Sequence, residues 1–555
     1  MKKTIFTLLA LVFTVLNTAA QNAAYTVLTE RDTTVAAKLS GLSLGSREVR
    51  FIAYEYPSTD AKGKEVKVSG VIMIPSDVLD GSVPCDGIVM FNHPTIGSPE
   101  EAPSLGGEGI EAMGIGLASP LKPNYIAVAS DYIGYGSSID SDLSYLCGDT
   151  NSRNALDGLL AARQLFEDRQ IPQGKFLFNI GYSQGGTVSM FAAKLTDTEE
   201  KYKGIRFDKT FSGGGPLDFE KIYTTYVQRD ACDDLSDVAL MLISANENYD
   251  LGIDYKDMFK EPLASRAKEF FKSKRESVFF DMTTSSLDSI SKILTPEFMD
   301  LESEAAMKFR TKMREISITE GWEPDTTKLY YIEHSRHDNY VPIQSVRGII
   351  PWMREKGFNP SIVPGKSSLQ TNTVVFKLNH HQSGIVWIIQ TMAAIQYWPV
   401  VYYEGEQNRY FHDVVYDMNI MKVIRMLASW GIDIKEIVGG SISFGRALRE
   451  PADGARMNLP ERMTLFDLIP NINETLAKVG LTTDDIDEMC EDSGITITDL
   501  AEVLRYLTDP EYTSRAAEME KRVEAPLYLL RSYEQTLAKW YLLGGFDVNY
   551  SFWGM

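Results

Sequence analysis

Histidine and cysteine are both scarce in this chain, whose 555 residues include only six histidines and four cysteines. The cysteines, Cys85, Cys147, Cys232 and Cys490, lack the close spacing of zinc-binding motifs. Basic residues are outnumbered by acidic ones, and the formal net charge of −21 argues against nucleic acid or an anionic membrane surface as a partner. A composition of 44% hydrophobic and 24% charged residues is that of a folded globular protein.

Long apolar runs are also missing after the N-terminus, so the sequence predicts no membrane-spanning helix there. Residues 1–20 combine two lysines, a short apolar core and a small-residue cleavage site, which predicts a secretory signal peptide; a short N-terminal anchor is the alternative. We therefore predict an exported protein, periplasmic or secreted. Export would permit disulfides, and we hypothesise one between Cys147 and Cys232.

Short apolar runs alternate with helix-like segments through the first part of the chain. Residues 47–56 and 65–75 have the pattern of a β-hairpin. Buried-strand patterns then follow at Gly87–Phe91, Tyr125–Asp131, Phe176–Ile180 and Lys209–Phe211. This alternation predicts an α/β fold with a doubly wound, mostly parallel sheet, helices on both faces and an N-terminal hairpin.

The alternation stops near residue 218 and returns near residue 326. The residues between have helical patterns, and an insertion of this length is more typical of a helical cap than of a loop. A buried strand resumes at Leu329–Glu333, and a last short strand is predicted at Val374–Phe376. The predicted units are the signal peptide 1–20, the first core part 21–217, the cap 218–325, the second core part 326–403 and a mainly helical C-terminal extension 404–555.

Ser183 lies in the motif Gly181-Tyr182-Ser183-Gln184-Gly185-Gly186, between the Phe176–Ile180 strand pattern and a helical segment. A Gly-x-Ser-x-Gly motif in this context places the serine hydroxyl on a sharp turn at the end of a sheet. Glycines are needed there because Cβ atoms would crowd the neighbouring strand and helix. We therefore predict that Ser183 is a nucleophile.

A serine hydroxyl needs a base to remove its proton, and the scarcity of histidine narrows the candidates. Asp338 follows the Leu329–Glu333 strand, and His380 and His381 follow the last predicted strand. Nucleophile, acid and base in this chain order are typical of doubly wound hydrolases. We predict Asp338 as the acid and His381, in preference to His380, as the base, because His381 stands three residues before Gly384 at the start of an apolar helix.

Two N–H donors are expected where negative charge develops during attack on a carbonyl group. One is the backbone N–H of Gln184, directly after the nucleophile. The other should lie in the loop after the Gly87–Phe91 strand, where Pro94 has no N–H to donate. We therefore predict Thr95, the next residue, as the second oxyanion donor.

These motifs, together with Asn92-His93-Pro94-Thr95 and the segment Asp131–Gly136, resemble those of the α/β-hydrolase superfamily over about residues 45–400. Within it the chain is most similar to the secretory lipase and esterase group, which also has an N-terminal hairpin and a helical cap. The resemblance implies that Ser183, Asp338 and His381 form a catalytic triad, with Thr95 and Gln184 as oxyanion donors. Pro94, where many hydrolases have glycine, and the extension 404–555 depart from the family pattern.

The sequence therefore predicts an exported serine hydrolase that cleaves small-molecule carboxylic esters through an acyl-enzyme, without a metal or organic cofactor. A serine peptidase of the same fold is an alternative, in which Glu220 or Asp230 of the predicted cap could hold a substrate amine. A binding protein that keeps the fold without catalysis is a third possibility.

Overall fold

The computed structural model describes residues 24–39, 42–106, 111–118, 124–274, 289–335, 337–358 and 369–374, with individual residues between 379 and 395. The predicted signal peptide, the C-terminal extension and Cys490 lie outside this part of the chain.

One mixed sheet organises the described residues. Its strands are β1 (Thr26–Leu39), β2 (Leu42–Thr59), β3 (Glu65–Pro75), β4 (Gly87–Asn92), β5 (Tyr125–Ser130), β6 (Phe176–Tyr182), β7 (Lys209–Gly213), β8 (Tyr330–Ser335) and β9 (Leu369–Val374). Their spatial order is β1-β2-β3-β5-β4-β6-β7-β8-β9. The pairings from β1 to β5 are antiparallel and those from β5 to β9 are parallel, which confirms the predicted α/β class.

The helices of the described residues are α1 (Ser76–Leu79), α2 (Glu111–Ala118), α3 (Gly148–Asp168), α4 (Gln184–Thr198), α5 (Phe219–Arg229), α6 (Leu235–Asn248), α7 (Tyr255–Met258), α8 (Leu263–Ser273), α9 (Pro296–Met299), α10 (Glu304–Glu315), α11 (Gln344–Arg347) and α12 (Ile349–Glu355). The described residues from His380 to Ile395 are also helical, apart from the gaps between them.

Helices cover both faces of the sheet and bury its central parallel strands. Leu156 and Leu159 of α3 and Val188 of α4 pack with the strands on one face. Met113 of α2 and Trp387 pack with them on the other. Burial on both sides explains why β4, β5 and β6 lack polar alternation and consist of buried residues throughout.

The first strands agree only in part with the sequence prediction. The hairpin is present as β2 and β3, joined by a turn in which the Asp60 carboxylate accepts hydrogen bonds from the N–H groups of Lys62 and Lys64. Strand β1, which pairs along nearly all of β2, was not predicted, because its sequence mixes threonine, charged residues and small residues. The last strand, β9, is described over Leu369–Val374 and so begins before the predicted Val374–Phe376, because its polar residues give no apolar signal. Residues 375 and 376 of that prediction lie outside the described part of the chain.

Helices and turns make up most of the described residues between β7 and Glu323, where an isolated bridge also joins Phe259 to Leu294. We call residues 218–325 the insert. Several of its aromatic side chains pack on one another: the rings of Tyr223, Phe298 and Phe309 lie at centroid distances of 5.0–5.8 Å. These aromatic residues therefore stabilise the insert itself.

The hypothesis of a Cys147–Cys232 disulfide is wrong, because Cys85, Cys147 and Cys232 are all present as thiols. The Cys147 sulfur lies at the start of α3, 3.7 Å from the Ser244 hydroxyl of α6 and 3.8 Å from the Tyr145 carbonyl oxygen. Burial raises the pKa of this thiol to about 11, so it stays protonated at neutral pH.

None of the helices in the described residues combines the length and apolar character needed to cross a membrane. No group of three or more histidine, cysteine or acidic side chains in that part of the chain could hold a metal ion.

Candidate active site

Ser183 lies at the tight turn between β6 and α4, at the carboxyl end of the central strands. Its backbone is in a strained conformation with φ 56° and ψ −126°, and its N–H donates to the Gly213 carbonyl at 2.8 Å. A Cβ on Gly181 would lie 2.1 Å from the Gly185 carbonyl oxygen, and one on Gly185 would lie 2.0 Å from that of Asn92. The glycines of the motif therefore permit a turn that no larger residue could form without moving the backbone.

Three side chains meet at this turn. Ser183 Oγ lies 2.9 Å from Nε2 of His380, and Nδ1 of the same ring lies 2.6 Å from Asp338 Oδ2. An imidazole that donates its Nδ1 proton to the carboxylate keeps Nε2 unprotonated, so Nε2 can accept the serine proton. The contacts thus form a continuous path from carboxylate to hydroxyl.

Asp338 is fixed in the loop that follows β8. Its side chain is 1% exposed, and its second oxygen accepts a hydrogen bond from the Val341 N–H at 2.8 Å. His334, at the end of β8, lies within 2.6 Å of the Val341 carbonyl through Nε2 and closes the same loop. The Asp338 carboxylate is therefore fixed by its own loop as well as by its contact with His380.

The histidine at this position is His380, so the prediction of His381 is corrected. Consecutive residues of a helix point about 100° apart, so only one of two adjacent histidines can face Ser183. The His381 ring lies beside that of His380, at a centroid distance of 5.6 Å. Burial, followed by the charge of His380, lowers the pKa of His381 to about 4.

Tyr182, the residue before the serine, contacts both the backbone and the ring of His380. Its hydroxyl donates to the His380 carbonyl oxygen at 2.6 Å, and its ring lies 5.1 Å from the imidazole. The Ser383 hydroxyl donates to the same carbonyl at 3.0 Å. Tyr182 therefore anchors the backbone that carries His380. The sequence analysis did not predict this role, and its only sequence signal is the position of Tyr182 next to Ser183.

Replacing Tyr182 with phenylalanine is expected to lower kcat by about tenfold, because a base held less firmly spends less time in the reactive geometry. KM should change by less than about twofold, since Tyr182 acts through His380. Steady-state kinetics on a nitrophenyl ester would measure both. Tyr54→Phe is the matched control: that buried hydroxyl donates to the Gly158 carbonyl at 2.8 Å, away from the site. Equal losses in the two variants would contradict the positioning role.

The loop after β4 lies directly against the start of α4. Asn92 anchors it, because its amide nitrogen donates to Asn179 Oδ1 at 2.8 Å and to the Ser189 hydroxyl at 2.9 Å. The hydroxyl of Thr95 is 3.1 Å from that of Tyr145, and Gln184 is buried at the first position of α4. The loop thus brings Thr95 to the same end of the sheet as Ser183, while its role as an oxyanion donor stays a prediction.

His93 holds this loop in place. Its ring is fully buried, stacks on Tyr132 at a centroid distance of 4.1 Å and contacts the carbonyl oxygens of Pro94 and Asp131 at 2.6 and 3.2 Å. Burial lowers the pKa of His93 to about 4, so the ring is neutral at physiological pH.

The two acidic residues considered for amine binding have partners within the insert. The Glu220 carboxylate pairs with the Arg310 guanidinium at 2.9 Å and lies 3.6 Å from that of Arg314. Asp230 accepts hydrogen bonds from the N–H and hydroxyl of Ser291 at 2.7 and 2.8 Å. Both carboxylates therefore stabilise the insert.

The structure of the protein is similar to solved structures, although its sequence matches no family model or curated protein. The structure aligns over 69% of this chain with the whole of a Legionella pneumophila protein described no further than as a hydrolase, at TM-score 0.55 and 16% identity. It aligns over 68% of this chain with 97% of the rice cell wall degrading esterase LipA from Xanthomonas oryzae, at TM-score 0.53 and 20% identity.

At 16% and 20% identity, the likeness to these two structures concerns the fold alone. The parallel strands, the covered faces and the sharp turn between β6 and α4 agree with that likeness. The protein therefore has the α/β-hydrolase fold.

Proposed function

We propose that the protein is an exported serine hydrolase that cleaves carboxylic esters of small molecules. The observation that carries this proposal is the pair of contacts at His380, 2.9 Å to Ser183 and 2.6 Å to Asp338. They supply a nucleophile, a base and an orienting acid in one place, which is what acyl transfer to serine requires.

In the proposed reaction His380 takes the proton of Ser183 as its oxygen attacks the ester carbonyl carbon. The carbonyl oxygen becomes negative and is stabilised by the N–H groups of Gln184 and Thr95. His380 then gives its proton to the leaving alcohol, and an acyl-enzyme remains on Ser183. A water molecule, deprotonated by His380, attacks the acyl group, and the acid is released as the serine regains its proton.

All the groups that this reaction uses belong to the chain, so it needs no metal or organic cofactor. Export is proposed from the character of residues 1–20, which predicts cleavage of a signal peptide and delivery to the periplasm or beyond. The fold likeness to an esterase is consistent with the ester substrate class.

A fluorophosphonate probe tests the nucleophile directly. We expect one covalent adduct per chain, located on the peptide that carries Ser183, and hydrolysis of short nitrophenyl esters by the unlabelled protein. The Ser183→Ala variant should take up no probe, with an unchanged melting temperature as the control for folding. Labelling of that variant at the wild-type rate would overturn the proposal. A nitroanilide with the same acyl group as the best ester would separate ester from amide cleavage.

A further inference from the structure

Tyr340 lies in the loop that carries the acid, shortly after Asp338. Its ring stacks on the His380 imidazole, with centroids 5.4 Å apart and an angle of 21° between the planes. It also meets the His381 ring edge-on, at a centroid distance of 5.2 Å. Both distances lie within the range of about 4.5–7 Å in which aromatic rings attract each other. Tyr340 therefore packs against the base of the site with an aromatic face.

The insert holds Tyr340 through its backbone. Tyr226 of α5 donates its hydroxyl hydrogen to the Tyr340 carbonyl oxygen. A few residues further along the same loop, the Ser345 carbonyl oxygen accepts from the Asp218 N–H at 2.8 Å. The Tyr340 hydroxyl lies 3.4 Å from the Asp234 carboxylate, which is long for a hydrogen bond and contributes less. The position of the Tyr340 ring is therefore set by the loop and by α5.

The hydrogen bonds of His380 leave one kind of movement weakly opposed. They are made at the edge of the ring, by Nδ1 to Asp338 and by Nε2 to Ser183. Bonds at the edge oppose displacement within the ring plane, whereas displacement out of the plane is opposed by groups packed against the face. Tyr340 supplies such a group.

One of these two hydrogen bonds disappears during the proposed reaction. In the acyl-enzyme the Ser183 oxygen is bonded to the acyl carbon and carries no proton that Nε2 could accept. The water oxygen must then bond to that carbon while the carbon–Oγ bond breaks, and a water proton passes through His380 Nε2 to Oγ. His380 therefore has to stay in place with Asp338 as its remaining partner in the triad.

We propose that Tyr340 is a positioning residue that keeps the His380 imidazole in its reactive place while the acyl-enzyme is hydrolysed. This inference rests on the proposed function. Tyr340 acts through His380 rather than on the reacting atoms. Before acylation the Ser183 hydroxyl shares the task of holding the ring, so loss of Tyr340 slows acyl release more than acyl formation.

Two measurements at a saturating concentration of nitrophenyl butyrate separate the two steps. The first is kcat, and the second is the fraction of chains that carry an acyl group, from intact-mass spectrometry after an acid quench. Dividing kcat by the acylated fraction gives the rate constant of acyl release. Dividing kcat by the unacylated fraction gives the rate constant of acyl formation.

Tyr340→Leu removes the aromatic face and keeps an apolar side chain. We expect acyl release to slow by roughly tenfold and acyl formation by less than about threefold, so the acylated fraction rises and KM falls. Tyr340→Phe keeps the ring and loses only the long contact with Asp234, so both rate constants should stay within about twofold of the wild type. A general loss of folding would lower both steps together.

Tyr255→Leu is the matched control. Its ring also forms a near-parallel stack, on Phe259 within the insert, with centroids 6.2 Å apart and 22° between the planes. Removing it should leave both rate constants at their wild-type values. Equal losses of the two rate constants in Tyr340→Leu, or a loss in neither, would overturn the inference.

Fluorophosphonate labelling separates a failure of this inference from a failure of the proposed function. If the probe labels Ser183 and the wild type hydrolyses the ester, while Tyr340→Leu releases the acyl group at the wild-type rate, the role of Tyr340 is wrong and the nucleophile stands. If the wild type takes up neither the probe nor an acyl group, the proposed function is wrong and the inference falls with it. Labelling together with slower release in Tyr340→Leu alone supports both.

Discussion

Replacing His380 with alanine is expected to lower kcat/KM for a nitrophenyl ester by roughly 10⁴- to 10⁶-fold, the range found when a triad histidine is removed. The reason is the position of its Nε2, 2.9 Å from the Ser183 hydroxyl. Without that nitrogen the serine proton has no acceptor, and neither the attack nor the protonation of the leaving alcohol is assisted.

His381→Ala is the matched control, because it removes the same side chain one position along the helix. We expect its loss of kcat/KM to stay below about tenfold, which covers small shifts of the neighbouring His380 ring. Both variants should be compared at pH 8 with melting temperatures measured beside the rates. A larger loss in His381→Ala than in His380→Ala would show that the site rearranges and that the base predicted from sequence is correct.

The elements that could be predicted from sequence have strong local signals. The buried strand before the site is a mostly apolar run, and the turn at Ser183 is marked by glycines that nothing larger could replace without moving the backbone. Asp338 could be predicted as the acid because the acid is expected in the loop directly after the carboxyl end of a parallel strand. These features depend on a few neighbouring residues, which is why they can be predicted without coordinates.

The choice between His380 and His381 could not be made in this way. Helical spacing to Gly384 favoured His381, but the outcome depends on a hydrogen bond from Tyr182, which lies 198 residues away in the chain. Strand β1 and the first residues of strand β9 were missed for a related reason. Both lie at edges of the sheet, where polar residues are tolerated and the apolar pattern disappears.

The partners of the acidic residues in the insert could not be predicted from the sequence either. Glu220 and Asp230 were the obvious acidic candidates, yet both are occupied by partners far along the chain, Arg310 and Ser291. Charge in a sequence can be counted, whereas its neutralisation depends on tertiary contacts.

Replacing Asp338 with asparagine is expected to lower kcat by about 10⁴-fold while the fold is retained. Asparagine has one oxygen and one NH₂ group where aspartate has two oxygens. If the oxygen keeps the bond from the Val341 N–H, the NH₂ group faces His380 Nδ1 and forces the ring to carry its proton on Nε2. A protonated Nε2 cannot accept the proton of Ser183. If the amide turns the other way, its NH₂ group faces the Val341 N–H, and two hydrogen-bond donors oppose each other.

Asp208→Asn provides the matched control for this change. The Asp208 carboxylate also accepts a backbone hydrogen bond, from the Leu177 N–H at 2.8 Å, but it precedes the amino end of β7, whereas the site lies at the carboxyl ends of the strands. Its loss of charge and any cost in stability should therefore leave kcat within about twofold of the wild type. Steady-state kinetics and melting temperatures for the two variants measure this contrast. An Asp338→Asn variant that retains more than a tenth of the wild-type kcat would mean that His380 is oriented without the carboxylate, by Tyr182 and Ser383 alone.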